Sequence, residues 1–193
     1  MMLALIFGIS LVGLAVSALL GKQVLAADTG TAKMQEVALA IKQGAMAFLK
    51  RQYTTIGIIV AVLAGLILLG SLFGGSLAAG GRTTVAFVLG AVLSALAGFI
   101  GMWVAVRANL RTASAATTSL DRALKIALRA GAVSGFLVVS LSLLGVAILF
   151  TLFGGLSDPQ SVPLQLVGFG FGASLVALFA QLGGGIYTKA ADV

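Results

Sequence analysis

Cysteine and histidine are both missing from the 193 residues. Their absence excludes disulfides, thiolate or imidazole metal sites, and catalysis by either side chain. A metal would have to be held by oxygen ligands, which suits Mg2+. Charge is also scarce. Only 9% of the residues are charged, against roughly 25% in a typical soluble chain, too few to cover the surface of a soluble fold. What fills the chain instead is apolar: 60% hydrophobic residues and a mean hydropathy of +1.18. The fold class is therefore all-α, a polytopic bundle of transmembrane helices in a lipid bilayer, because helices satisfy their own backbone groups where lipid offers no partner. Twenty-six glycines fit such a bundle, since small residues let helix backbones approach closely.

Five apolar stretches reach or approach the ~20 residues that span a bilayer. They run over about 1–20, 54–73, 84–106, 130–153 and 162–187, with no domain boundary and no internal repeat along 1–193. The first could be taken for a cleaved signal peptide, with Val24, Leu25, Ala26 and Ala27 offering small residues. However, Met1-Met2 carries no basic side chain and Lys22 follows the run, so it reads as a retained span with its N-terminus outside. That orientation puts every lysine and arginine except Arg82 on the inside, a clear positive-inside pattern. It also places Lys189 and Asp192 at the cytoplasmic end of the fifth span. The net charge of +7 is thereby explained by topology, and no nucleic acid is expected as a partner.

Between the spans, residues 31–53 carry Met34, Val37, Ala38, Ile41, Ala45, Phe48 and Leu49 at three- and four-residue steps, an amphipathic face. This segment leads into the second span or lies at the membrane surface. Asp121 before Arg122 is the expected cap of the helix entering the fourth span. Gly154-Gly155 and Asp158-Pro159 predict an external turn.

The first four spans have no ionisable residue in their interiors. A rotor-ring subunit, which needs a mid-membrane carboxylate, is excluded, and a channel or transporter half is disfavoured. Chemistry gathers at the end of the chain, GGGIYTKAADV, Gly183 to Val193. On a helix Lys189 and Asp192 share a face. A lysine neutralises phosphate oxygens as a point charge, and a carboxylate beside it can hold Mg2+ that bridges phosphates. A solvated helix end carrying the same pair is the plainer alternative. The three glycines do not form a P-loop, because no strand precedes them and the spacing is wrong. Within an apolar helix they point to tight packing.

This ending closely resembles the signature of membrane-bound, ion-pumping inorganic pyrophosphatases. The likeness extends to GAMAFLKRQY (Gly44 to Tyr53), GMWVAVRANLRTASAA (Gly101 to Ala116), RAGAVSGFLVVSLSLLG (Arg129 to Gly145) and GFGFGASLVALFA (Gly168 to Ala180), which is nearly the whole chain. The resemblance implies a homodimer of about sixteen helices per subunit that hydrolyses cytoplasmic pyrophosphate with Mg2+ and moves H+ or Na+ outward, with K+ as a further cofactor in some members. It implies that spans one to four are outer scaffold and that the fifth lines the active site. Lys189 matches the family's pyrophosphate-contacting lysine, and Asp192 matches the first carboxylate of its Mg2+ cluster. Gln181 stands where the family commonly has an arginine linking the active site to the ion gate. Glutamine hydrogen-bonds but carries no charge, so the coupling-gate role of Gln181 is open. The carboxylates that activate water lie further along in the family. The 193 residues thus read as the N-terminal portion of such a pump, in the cell membrane of a prokaryote, inactive alone. The competing reading is a complete five-span scaffold protein without catalysis.

Overall fold

The computed structural model describes residues 1–73 and 77–191. Five helices account for almost all of them: α1 (Met2–Leu25), α2 (Ala32–Phe73), α3 (Leu77–Ala116), α4 (Leu120–Leu152) and α5 (Val162–Ala191). All five are long and apolar enough to cross a membrane, the number expected.

Two helices are far longer than a bilayer requires. α2 has 42 residues and α3 has 40. At 1.5 Å per residue each is about 60 Å long, twice the ~30 Å hydrocarbon thickness. The amphipathic segment 31–53 is thus the first half of α2 rather than a separate surface helix. The physical reason is local: from Leu49 to Ile56 no glycine or proline interrupts the run, so nothing ends the helix.

The cap of α4 also differs from expectation. Ser119, not Asp121, is the N-cap: its backbone is extended and its hydroxyl accepts from the Arg122 amide at 3.4 Å. Asp121 lies in the first turn, where the helix dipole favours a carboxylate, and pairs with Lys125 at 2.6 Å. At the other end the turn expected around Gly154 is present. Gly154 has φ +82°, its amide bonds to the Thr151 carbonyl and the Gly155 amide to the Phe150 carbonyl. This is the paired pattern of a left-handed glycine C-cap.

α3 is the centre of the bundle. It packs against α5, α4 and α2, while α1 lies mainly against α4. All three hydrophobic clusters draw on it, through Ala97 and Val104, through Ala91, and through Ala86. The tightest contact is α3 with α5. A Cβ on Gly90 would strike the Phe169 backbone, one on Gly168 the Thr83 carbonyl, and one on Gly172 the Phe87 carbonyl. Glycine is required at all three, and Ser94 adds a hydroxyl donated to the Ala173 carbonyl at 3.0 Å. α1 uses a similar device: Ser10, Gly13, Ser17 and Gly21 form its buried stripe, and the Ser17 hydroxyl donates to the Val133 carbonyl of α4 at 2.9 Å.

Candidate functional site

α3 and α5 run parallel, as the Arg82–Gln165 and Ser94–Ala173 contacts show. The second of these pairs residues 79 positions apart, so Lys189 stands at about the height of Leu110 on α3. On that helix Trp103 and Arg107 mark an interfacial level. The Arg107 guanidinium lies 3.6 Å from the Trp103 ring centre and donates to the Trp103 carbonyl, the arrangement of a cation snorkelling from an apolar span. Lys189 is therefore about two turns beyond the Trp103 level, at the basic end of the bundle. It is exposed in the last turn of α5.

Upstream, α5 remains helical through the three glycines. They do not all pack tightly. Gly183 faces the Gln52 side chain of α2, where a Cβ would collide, whereas a Cβ at Gly184 or Gly185 would meet nothing within 4 Å. Gln181 is exposed. Gln181, Gly185 and Lys189 recur every four residues and so lie along one stripe of the helix. Asp192, the expected metal ligand, lies outside the described residues. Among the described residues no group of three or more Asp, Glu, Cys or His lies together, so those residues do not by themselves form an Mg2+ site.

Gln52 was not singled out in the sequence. Its Nε2 donates to the Phe179 carbonyl of α5, and its Oε1 is buried without a hydrogen-bond partner. A neutral polar residue next to Lys50-Arg51 looks like part of a solvated run, and only the helix's continuity through this point turns it inward. Its neighbour Tyr53 likewise donates its hydroxyl to the Ala95 carbonyl of α3 at 3.1 Å. The two residues fasten α2 across α3 and α5 just where α5 approaches its polar end.

Comparisons with known proteins give this arrangement a context. The family model described as "Inorganic H+ pyrophosphatase" matches residues 11–193. The chain is 55% identical over 183 residues to a K(+)-insensitive pyrophosphate-energized proton pump 2 of Moorella thermoacetica, covering 95% of this chain and 26% of that protein. It is 49% identical to a K(+)-insensitive pyrophosphate-energized proton pump of Caldanaerobacter subterraneus, covering 99% and 28%. It is 45% identical to the pyrophosphate-energized membrane proton pump 3 of Arabidopsis thaliana, covering 97% and 26%. The chain thus spans about a quarter of the length of these relatives.

Proposed function

The chain belongs to the inorganic H+ pyrophosphatase family, and from that premise we propose that it is the N-terminal portion of a pump driven by Mg2+-dependent hydrolysis of cytoplasmic pyrophosphate. Several of its relatives are named as K(+)-insensitive proton pumps, which supports H+ as the ion moved and a pump that works without K+. The observation that carries the reading is the family match through residue 193, together with an exposed Lys189 at the basic end of α5. In this reading Lys189 holds a pyrophosphate oxygen, as a flexible ammonium does, and Asp192 supplies the first oxygen ligand to Mg2+. Mg2+ held there would supply neutralising charge to the phosphates. α1–α4 form scaffold, the complete protein is a homodimer, and its basic end faces the cytoplasm.

The test is pyrophosphate hydrolysis by the complete polypeptide. Lys189→Ala should cut the rate by about a hundredfold, the range seen on removing one preorganised charge-stabilising group, with unchanged accumulation in the membrane. An unchanged rate removes Lys189 from the site. Equal rates in K+-containing and K+-free media are expected, and the 193 residues alone should hydrolyse nothing, since the donor set they offer is incomplete. Gln181→Arg, which introduces the charge common in the family, should alter the protons moved per pyrophosphate more than the hydrolysis rate.

A further inference from the structure

On the far side of α3 from α2, the C-terminal ends of α1 and α3 and the first turns of α4 enclose an open cavity of about 450 Å3. Arg111, Arg122, Lys125 and Arg129 line it, opposed by one lining carboxylate, Asp28. Asp28 is engaged: it accepts from the Ser114 hydroxyl at 2.9 Å and the Gly30 amide at 3.2 Å. Arg111 is fixed as a wall by its bonds to the Leu25 and Arg107 carbonyls. Lys125 pairs with Asp121, both well exposed. Among the described residues the Arg122 and Arg129 guanidiniums have no hydrogen-bonding or ionic partner. The cavity thus presents unneutralised, forked donors suited to a phosphate group.

Its position narrows the source of that phosphate. Gly101 of α3 faces Ser134 of α4, so Arg129 stands at about the height of Val106, close to the interfacial level marked by Trp103 and Arg107, and Arg111 lies one turn beyond Arg107. On α4 the basic row Arg122, Lys125 and Arg129 is flanked by Leu120, Leu124 and Leu128, which are 80%, 56% and 65% exposed. A cationic row flanked by an apolar row at the membrane boundary matches both halves of a charged lipid. We propose that this cavity binds the phosphate headgroup of an anionic phospholipid, whose acyl chains run along α4 from Leu128 towards the exposed Val139, into the bilayer.

The experiment is native mass spectrometry of the complete, delipidated polypeptide titrated with dioleoylphosphatidylglycerol or dioleoylphosphatidylcholine. The expected result is selective retention of phosphatidylglycerol, weakened about thirtyfold in R122Q/R129Q, the effect of two basic residues near a lipid surface. It should be largely kept in R122K/R129K and unchanged in the distant charge control R82Q. Should the double variant fail to fold, R122Q and R129Q singly should each weaken retention about fivefold. Equal retention of the two lipids, or full retention by the glutamine variants, overturns the proposal. So does displacement of phosphatidylglycerol by millimolar inorganic phosphate, which would assign the cavity to a soluble anion.

Discussion

The two halves of α5 are built on opposite terms. From Gly168 to Val176 the helix is pressed into α3, backbone against backbone, with Phe169 and Val176 buried. From Leu178 to Lys189 it stands largely clear: Leu178, Leu182 and Ile186 are about 60% exposed, and Gln181 and Lys189 are exposed as well. Glycines occur in both halves with different consequences. Gly168 and Gly172 exist so that nothing intervenes between two backbones, while a Cβ added at Gly184 would meet nothing within 4 Å. The first half is an anchor. The second presents polar and apolar surface together, the mixture found where further helices must pack around a polar centre.

The sharpest way to break this contrast is Gly172→Leu. A side chain there has no path past the Phe87 carbonyl, so the helices must separate. The expected loss is at least the 1–3 kcal/mol of ordinary overpacking, visible as a lowered Tm in detergent. Gly184→Leu should leave the Tm unchanged or raise it slightly in the same assay, because leucine is the better helix former by under about 1 kcal/mol. Comparable losses for the two would erase the distinction between anchor and free end.

Gln52→Leu probes the tie between the halves. It removes one interhelical hydrogen bond, about 0.6 kcal/mol on average in membrane bundles, but also a buried orphan oxygen. The Tm should therefore barely move. Amide exchange around Phe179 to Gly183 should speed up, because the cross-brace to α2 is gone. Unaltered exchange would mean that Gln52 does not hold the second half in place.

The smallest effect concerns the turn that feeds α5. The Ser161 side chain and amide hydrogen-bond the Asp158 carboxylate and hold its pKa below the ordinary value. A depressed carboxylate stabilises the turn above the unfolded pKa and loses that contribution as pH falls through the folded value. Protection of the Ser161 amide should thus be flat from neutral pH to about pH 5 and decline below about pH 4, near the ordinary Asp pKa. Asp158→Asn should remove the pH dependence. A decline already present at pH 6 would point to another group.

The spans were legible because their apolar runs admit only helix in lipid. The extent of the helices was not. Hydropathy reports where a helix meets lipid and is silent where it continues into water, so the amphipathic face of 31–53 left open whether it joins the second span or lies at the surface, and the last turns of α3 looked like a connector. The α4 cap was misplaced by two residues. Asp121 is the stronger acceptor by type, but the Thr117-Thr118-Ser119 turn leaves the extended residue at Ser119. At the site, Lys189 and Asp192 stood out through resemblance, whereas Gln52 could not. Its role depends on a tertiary approach between residues 127 positions apart.

α1 packs on α4 and slightly on α3, and not on α2. The Ser17–Val133 bond joins positions 116 residues apart. At synthesis rates of about 5–20 residues per second, α1 emerges roughly 6 to 23 seconds before its principal partner. Throughout that interval its serine and glycine stripe faces lipid with nothing to pack on. α1 is thus seated only once α4 has emerged, and a newborn chain stalled before residue 133 should be a ready client of membrane-insertion chaperones.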